Sequence, residues 1–426
     1  MRSVYKYNIN ITQSKLLFFS KRFKYSSILL SNTSINDKYK SFDIIAAFGA
    51  YKVLKSSKNS FNRLRKFHAS SKDWLFGFLS YELKNEIFNI KSSKKPQYEI
   101  PHILFYVPKT IMMLRKVTLE IHSFLSKEKV DKMLNDINNI NKVFVKNSSV
   151  KMKARESRKE YLKKINLIKN HIQNGDIYEM NYCQEFFNEK ASADPISLFS
   201  QLNCFSNSPF AVYFNFNNIF LLSASPERFI KKQGEKIISQ PIKGTRKRSE
   251  DEEKDLMLVN ELRNSKKDMS ENVMITDLVR NDLSRTSEKA SVNVKDLFGI
   301  YTFNQVHHMI STITSKLSKS YDFVDVLETT FPMGSMTGAP KLKSLLLIDE
   351  YECMSRLLFS SSFGYITPEG DFDFNVIIRS IIYDKLQSYM SLSVGGAITI
   401  LSNEEEEYEE CMIKADSILK LLSDGR

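Results

Sequence analysis

The chain has 426 residues, of which 42% are hydrophobic and 12% aromatic, and this composition excludes a disordered protein and supports a large core in one or two domains. The formal net charge is +13, but the basic residues form only short runs without interleaved aromatic residues, so we expect no nucleic-acid partner. No run of about 18 apolar residues occurs, so we also expect no membrane partner.

The first 123 residues contain short apolar runs separated by polar breaks, which is the pattern of strands. The predicted strands cover residues 28–31, 42–54, 74–81 and 102–107. Residues 91–97 predict a loop. Residues 124–154 are rich in lysine and asparagine and predict a connector that contains a helix.

The rest of the chain mixes helices and strands. Apolar residues recur at helical spacing from Tyr161 to Ile172, and Gly175 stands where a C-terminal cap belongs. Further strands are predicted at 210–216, 219–225, 236–242, 358–366, 372–384 and 388–400, and further helices near 251–285, 322–330, 340–355 and 404–422. This order is not a regular βαβ alternation, so we predict an α+β fold with large antiparallel sheets.

The four cysteines form no C-x-x-C pair and predict neither a disulfide framework nor a zinc site. The N-terminal apolar stretch is too short and interrupted for a signal peptide. A reducing, cytoplasmic location is therefore the expectation.

Glycine is scarce, with 13 residues in the chain, and several of them fall in the segments 331–341 and 393–399. The first segment precedes a predicted helix, whose N-terminus could bind an anion or could simply follow an ordinary loop. A scarce glycine marks a backbone that needs positive φ or close approach.

Two carboxylate pairs have the i, i+3 spacing that places both members on one helix face: Asp268 with Glu271, and Glu407 with Glu410. Oxygen ligands from two facing helices suit Mg²⁺. The alternative is a solvated acidic first turn that is favourable with the helix dipole.

Three further segments carry polar residues inside apolar strands. In VHHMIST (306–312) only one of the two histidines can face a given site, because neighbours in a strand point to opposite faces. In SASPERF (223–229), Glu227 and Arg228 form either a surface ion pair or part of a site. In QPIKGT (240–245), Lys243 is either a strand-end lysine with its amine in solvent or a reactive group.

Together these motifs resemble the chorismate-utilising enzymes, and within them component I of aminodeoxychorismate synthase. The motifs that match, in the family's order, are SASPERF, QPIKGT, DLVRNDLSR (277–285), VHHMIST, MGSMTGAPK (333–341), NVIIRS (375–380) and the closing segment GGAITI (395–400) with EEEEYEECMIKAD (404–416). The match is nearly complete from about residue 155 to 424 and looser before it.

The resemblance implies two interleaved α+β subdomains, with antiparallel sheets packed as a sandwich and helices outside. Residues 1–123 would be an N-terminal part of anthranilate synthase component I type, 124–154 a connector, and 155–424 the chorismate-binding catalytic domain. Chorismate would be the substrate and Mg²⁺ the cofactor.

The resemblance also gives Lys243 a role. Related anthranilate synthases carry a small residue at this position, whereas the aminodeoxychorismate branch carries lysine. In that branch the amine, which must be uncharged, attacks ring carbon 2 of chorismate as the carbon-4 hydroxyl leaves, and ammonia then adds at carbon 4 and displaces the lysine. Glu227 matches the acid that assists departure of the hydroxyl.

Other site residues are carried over in the same way. Glu271 and Glu410 match Mg²⁺ ligands, with Asp268 and Glu407 beside them. The residues that match substrate-binding positions are Gly244, Thr245, His308, Ser335, Tyr365, Arg379, Gly395, Gly396 and Lys414. Two cations suit chorismate because it is a dianion.

The sequence departs from the family pattern at three places. Ala397 replaces a frequent glycine, and Glu179 stands where many relatives have glutamine. Salicylate and isochorismate synthases have a lysine there as base for water, so its absence argues against water as the nucleophile. Tryptophan-binding relatives carry a serine after the Leu-Leu strand, and ILLSNTS (28–34) leaves tryptophan binding near Asn32 and Pro209 open.

No cysteine lies in a G-x-C-x-G turn, and the chain ends soon after the last motif. We therefore expect no fused glutaminase or lyase, and ammonia that is either free or supplied by a separate glutamine amidotransferase subunit. The implied product leads to 4-aminobenzoate and folate. The alternatives are anthranilate synthase component I and an inactive family member that acts as a scaffold.

Overall fold

The computed structural model describes residues 2–32, 37–92, 94–141, 144–145 and 149–424. The strands are β1 Ser3–Asn8, β2 Tyr25–Leu30, β3 Ile44–Ser56, β4 Leu75–Leu79, β5 Ile103–Arg115, β6 Thr118–Ser123, β7 Lys153–Ala154, β8 Glu179–Asn188, β9 Phe210–Phe216, β10 Ile219–Ser225, β11 Arg228–Gln233, β12 Lys236–Gln240, β13 Ile242–Lys247, β14 Asn293–Thr302, β15 Val306–Lys316, β16 Gly338–Ala339, β17 Ser362–Ile366, β18 Phe372–Asn375, β19 Ser380–Asp384 and β20 Tyr389–Ile398.

The α-helices are α1 Gln13–Ser20, α2 Ser60–Ser71, α3 Lys84–Ile87, α4 Lys127–Asn138, α5 Arg158–Gln173, α6 Pro195–Ser206, α7 Glu252–Asn264, α8 Lys266–Ser284, α9 Phe323–Thr330, α10 Lys341–Tyr351 and α11 Glu404–Asp424. Short 3₁₀ turns lie at Tyr81–Leu83 and Gly334–Met336. No helix in the described part of the chain is long and apolar enough to cross a membrane.

Two antiparallel sheets diverge from the long strand β5. One edge of β5 pairs with β3, and the order continues through β2, β9, β10, β19, β20 and β8. The other edge pairs with β6 and β4, and from β4 the order continues through β17, β18, β11, β12 and β15, which also pairs with β13 and β14. Each sheet contains strands from both the N-terminal and the C-terminal parts of the chain, which confirms the predicted interleaved α+β fold.

Aromatic side chains fill the space between the two sheets. The ring of Phe214 on β9 lies 4.7 Å from that of Phe363 on β17 and 6.2 Å from that of Phe78 on β4. All three side chains are buried. This contact across the sheets makes the arrangement a sandwich, and α8 packs on β13 and β15 while α11 packs on β20.

Most predicted elements are present, with shifted bounds. The predicted helix 404–422 is α11, and the apolar repeat from Tyr161 is α5, after which Gly175 has φ +81°. The predicted strand 236–242 divides at Pro241, because proline has no N–H for the ladder, and β13 begins behind it.

The predicted strand 372–384 also divides, into β18 and β19, and Arg379 between them has a left-handed φ of +50°. The predicted connector 124–154 contains α4 and β7. Parts of it (142–143 and 146–148), and residue 93 of the predicted loop 91–97, lie outside the described residues.

Gly77 tests the junction of the two sheets. A Cβ built at Gly77 on β4 would lie 1.8 Å from the carbonyl oxygen of Leu104 on β5. We expect Gly77→Ala to lower the free energy of unfolding by about 3 kcal/mol or more, because backbone must move to admit the methyl group. Urea unfolding followed by circular dichroism measures it.

Gly175→Ala is the matched control, since nothing lies within 4 Å of a Cβ there and only the left-handed φ is strained. Its expected cost is about 1 kcal/mol. Equal costs for the two variants would contradict the close pairing of β4 with β5.

Candidate active site

A cavity that is partly open to solvent lies where the ends of the two sheets face each other. Strands β13 and β15 form one wall and β20 the other, and α8 and α11 close the sides. The predicted site residues that line it are Glu227, Lys243, Gly244, Thr245, Asp268, Glu271, His308, Ser335, Arg379, Gly395, Gly396, Glu407, Glu410 and Lys414. They come from segments far apart in the sequence.

An irregularity in β13 directs Lys243 into the cavity. The register of β13 against β15 shifts between Ile242 and Thr245, and Gly244 between them has φ +90°. A Cβ at Gly244 would also lie 3.0 Å from that of Asp268. Such bulges re-aim side chains, and the Lys243 side chain is 8% exposed, with its Nζ 3.7 Å from Glu179 Oε1.

Glu227 follows β10 and is fully enclosed by the protein. Its Oε1 accepts a hydrogen bond of 2.7 Å from Ser335 Oγ, and its backbone N–H donates to Ser225 Oγ. Burial raises the pKa of the Glu227 carboxyl to about 7, against the smaller lowering effects of Ser335 and Lys243. A carboxyl with this pKa can hold a proton at neutral pH and give it to a leaving group.

His308 is buried and neutral. Arg379 Nη2 lies 3.2 Å from His308 Nε2 and donates to it, so the ring proton lies on Nδ1 and is donated to Thr245 Oγ1 at 2.8 Å. Burial lowers the pKa of His308 well below its usual value, and the positive charge of Arg379 adds to this effect. His308 therefore orients the Arg379 guanidinium rather than competing with it for anions.

Four carboxylates of α8 and α11 line the cavity, and three of them form ion pairs. Asp268 contacts Arg246 at 3.0 Å, Glu407 contacts Lys267 at 2.9 Å, and Glu410 contacts Lys414 at 2.7 Å. Lys414 lowers the pKa of Glu410 to about 2. The fourth carboxylate, Glu271, has no ion-pair partner within 4 Å among the described residues.

Glu271 is an incompletely satisfied buried carboxylate. Its Oε1 has no hydrogen-bond partner in the described part of the chain. Burial raises the pKa of Glu271 to about 7, while Lys243 lowers it and Glu179 raises it further. A buried carboxylate oxygen without a protein partner is available to a ligand or to water.

These carboxylates suit Mg²⁺, which takes oxygen donors and is commonly bound by one or two carboxylates plus waters and substrate oxygens. Within the described residues no group of three or more histidine, cysteine, aspartate or glutamate side chains is arranged to hold a metal by itself. A magnesium ion here would therefore need oxygens from water or substrate to complete its coordination.

Gly395 and Gly396 lie on β20 beside β8. A Cβ at Gly396 would lie 3.3 Å from Glu407 Oε2 and 4.0 Å from Glu410 Oε1, and thus in the space beside the carboxylates. The carbonyl of Gly395 accepts a hydrogen bond of 2.9 Å from Lys414 Nζ. The absence of a side chain at Gly396 therefore leaves space beside the carboxylates, and the Gly395 carbonyl holds the Lys414 amine in position.

The family model described as chorismate binding enzyme matches residues 26–420. This chain is a member of the chorismate-binding enzyme family. Aminodeoxychorismate synthase component 1 of Klebsiella aerogenes is 38% identical over 270 residues, which are 63% of this chain and 59% of that protein. Anthranilate synthase component 1 of Thermus thermophilus is 33% identical over 264 residues, which are 62% of this chain and 56% of that protein.

The chain thus spans less than two thirds of the length of these curated relatives. Among solved structures, anthranilate synthase component I from Streptococcus pneumoniae superposes with a TM-score of 0.78 at 21% identity. The match covers 91% of this chain and 96% of that one. This likeness supports the fold described above for the chorismate-binding family.

Tyr365 is the predicted substrate-binding residue that the structure does not bring to this cavity. It lies on β17 and lines a second cavity with Phe42, Pro209 and Phe210. Its ring packs 5.6 Å from Trp74. Tyr365 belongs to a strand in the middle of its sheet, far from the sheet ends that form the site. Sequence position alone could not tell these locations apart.

The suggested tryptophan region falls in the same second cavity. Ser31 and Pro209 line it. Asn32 instead donates to Asn203 Oδ1 at 2.7 Å and to the carbonyl of Ser208 at 2.8 Å. Pro209 therefore lines this second cavity, whereas the Asn32 side chain is bonded to neighbouring protein groups.

The simpler interpretation of Glu227 and Arg228 is wrong. Glu227 and Arg228 are not a surface ion pair, because both are buried and Arg228 pairs with Asp37 and Asp373. The glycine-containing segment 331–341 brings Ser335 and Met336 to the cavity, whereas at the start of α10 the Lys341 side chain contacts Asp282 at 2.6 Å.

The expectation for VHHMIST is confirmed. His308 faces the cavity, whereas His307 faces away from it and contacts Asp255 at 3.0 Å. Alternation along β15 produces this division.

The sequence analysis missed a buried clamp around Arg356. Arg356 donates to the carbonyls of Met336 and Asn181 at 2.6 and 2.9 Å, and to the carboxylate of Glu352 at 2.6 and 2.9 Å. Asn181 and Met336 both line the cavity, and Ser335 precedes Met336. The clamp therefore joins β8 to the segment of Ser335, whose hydroxyl donates to the Glu227 carboxyl. The i, i+4 spacing of Glu352 and Arg356 was its only signal in the sequence.

We expect Arg356→Met to lower the free energy of unfolding by about 3–5 kcal/mol, because it leaves the buried Glu352 carboxylate unpaired. Arg280→Met removes an exposed ion pair with Asp277 and is the control, with an expected effect within about 1 kcal/mol. Urea unfolding compares them. Similar small effects for both would show that the clamp does not stabilise the fold.

Stability should depend on pH through Glu227. The pKa of this carboxyl is about 7 in the folded protein against 4.5 ordinarily, so folding becomes less favourable as pH rises between these values. We compare the free energy of unfolding of Glu227→Gln with that of wild type. We expect this difference to favour the variant by up to about 3 kcal/mol more at pH 8 than at pH 4.

Metal-free urea unfolding at both pH values measures this effect. Glu410→Gln is a control of opposite sign: because Lys414 lowers the pKa of Glu410, the carboxylate stabilises the fold above its ordinary pKa. That variant should be less stable than wild type at pH 8. If the free energy of unfolding of Glu227→Gln differed from that of wild type by the same amount at both pH values, this result would contradict the raised pKa.

Proposed function

We propose that this protein is component I of an aminodeoxychorismate synthase, which converts chorismate and ammonia to 4-amino-4-deoxychorismate for 4-aminobenzoate and folate synthesis. One observation carries the proposal: the amine of Lys243 is directed into the cavity of a chorismate-binding enzyme and is nearly excluded from solvent. Three relatives that are named aminodeoxychorismate synthase component 1 support the same branch of the family.

The cavity has the charges to hold a dianion. Arg379 has no acidic partner within 4 Å among the described residues, and burial lowers its pKa only to about 10, so it stays cationic at neutral pH. It would bind one carboxylate of chorismate, with Thr245 and His308 holding the arginine in place. Lys414 and the backbone at Gly395 and Gly396 would line the position of the other carboxylate.

Glu271 and Glu410 would hold Mg²⁺, with Asp268 and Glu407 beside them. The ion would supply positive charge to the ring carboxylate and to the departing hydroxyl oxygen. The partnerless oxygen of Glu271 supports this assignment.

Lys243 would act as the nucleophile of the first step. Its nitrogen bonds to ring carbon 2, the two conjugated ring double bonds each shift by one position, and the carbon–oxygen bond at carbon 4 breaks. Glu227 gives its proton to the departing hydroxyl, which leaves as water. The adduct nitrogen then loses one proton.

Ammonia would complete the second step. It bonds to carbon 4, both ring double bonds shift back, and the bond between carbon 2 and Lys243 breaks with its electron pair on the lysine nitrogen. That nitrogen takes up a proton, and the Glu227 carboxylate accepts one from the new ammonium group. The sum is chorismate plus ammonia giving 4-amino-4-deoxychorismate plus water, an amination of the transaminase class.

The proposed source of ammonia is a separate glutamine amidotransferase subunit, in keeping with the component 1 names of the relatives. We propose a cytoplasmic location for the reaction.

The deciding experiment incubates wild type and Lys243→Ala with chorismate, Mg²⁺ and ammonia. Wild type should form an amino-chorismate that a lyase converts to 4-aminobenzoate, and the variant should lose at least about 100-fold in this rate because the nucleophile is gone. Intact mass spectrometry of wild type without ammonia should show a substrate-sized adduct on the peptide that contains Lys243.

Chorismate binding by the variant, measured by calorimetry, is the control for folding. Fluorescent anthranilate with pyruvate from wild type would instead assign the protein to anthranilate synthase. No turnover of chorismate by folded wild type would favour a scaffold role.

A further inference from the structure

A buried carboxylate stands behind the Lys243 amine. Glu179 begins β8 and is 1% exposed, and its Oε1 lies 3.7 Å from Lys243 Nζ. Its other oxygen, Oε2, has no hydrogen-bond partner among the described residues. Burying a carboxylate with so little compensation is costly, so a role in chemistry is the more natural explanation than one in stability.

Glu179 is also the one acidic side chain within 4 Å of the Lys243 amine in the described part of the chain. The other carboxylates that act on Lys243 do so at longer range: Glu227, Glu271 and Glu410. Glu227 is engaged by Ser335 and Glu410 by Lys414. Glu179 is therefore the group in position to exchange a proton with this nitrogen.

The backbone around Glu179 is fixed. Glu179 pairs with Ala339 of β16 in the sheet, and the backbone carbonyl of Glu179 accepts a hydrogen bond of 3.3 Å from Ser344 Oγ. Gly338 allows this approach, since a Cβ there would lie 2.2 Å from the same carbonyl oxygen. The strand can thus hold the carboxylate beside Lys243 through both half-reactions.

We propose that Glu179 accepts the proton that the Lys243 nitrogen loses when it bonds to the substrate, and returns it when that bond breaks. The inference rests on the proposed function. In the first step the adduct nitrogen is a secondary ammonium, and its proton moves to the Glu179 carboxylate. In the second step the carbon–nitrogen bond breaks, the electron pair stays on the lysine nitrogen, and the carboxyl of Glu179 supplies the proton that restores the amine.

The test uses Glu179→Gln, which keeps the size of the side chain but removes its ability to take up a proton. Adduct formation on Lys243 is followed by rapid quench and intact mass spectrometry with chorismate and Mg²⁺ but no ammonia. Decay of the adduct is followed after ammonia is added. We expect both rates to fall by about 100-fold, while the chorismate dissociation constant changes less than about threefold.

Two further variants guard against a structural effect. Glu179→Asp keeps a carboxylate and should retain more of both rates than the glutamine variant. Glu185→Gln changes another buried carboxylate on β8, which pairs with Arg155 and does not line the cavity, and should leave both rates unchanged. If the glutamine variant does not fold, an aspartate variant with wild-type rates supports the proposal and one as slow as Lys243→Ala overturns it.

The opposite result is equally informative. If Glu179 only paired with a charged lysine, its removal would free the amine, and Glu179→Gln would form the adduct as fast as wild type or faster. That outcome overturns this proposal and leaves the proposed function intact. If wild type formed neither the adduct nor the amino-chorismate, this result would instead overturn the proposed function itself.

Discussion

Pairing of charges inside the cavity is the constraint on which the rest of the site depends. Buried charges are tolerated when they are paired, and most of those that line this cavity are. The pairs are Arg246 with Asp268, Lys267 with Glu407, Lys414 with Glu410, and Lys243 with the buried Glu179. Among the described residues this leaves Arg379, Glu227 and Glu271 without an ion-pair partner within 4 Å. In the proposed reaction these three groups would bind a substrate carboxylate, supply a proton and help to hold a metal ion.

The fold makes this pairing possible by bringing sheet ends together. The wall with Lys243 and His308 ends one sheet, and the wall with the two glycines of β20 ends the other. Helices α8 and α11 pack on these ends and supply the carboxylates. Backbone irregularities do the aiming, since a bulge precedes Thr245 and a left-handed residue stands at Arg379.

Burial then sets the protonation states that the chemistry uses. The same exclusion of water raises the pKa of Glu227 to about 7 and lowers that of His308 well below its usual value. One group can therefore donate a proton while the other stays neutral beside a guanidinium. The clamp of Arg356 and Glu352 keeps these surroundings closed, because it ties β8 to the segment of Ser335.

The sequence by itself determined the α+β class, most strands and the helices α5 and α11, because periodicity and capping are local properties. All the site residues that its ordered motifs named, except Tyr365, line the cavity. Only the tertiary structure separated Tyr365 from the site, showed the partner of Lys243 in Glu179, and revealed the Arg356 clamp. Each of these depends on which distant segments meet and how far water is excluded between them, and neither property is encoded in a local pattern.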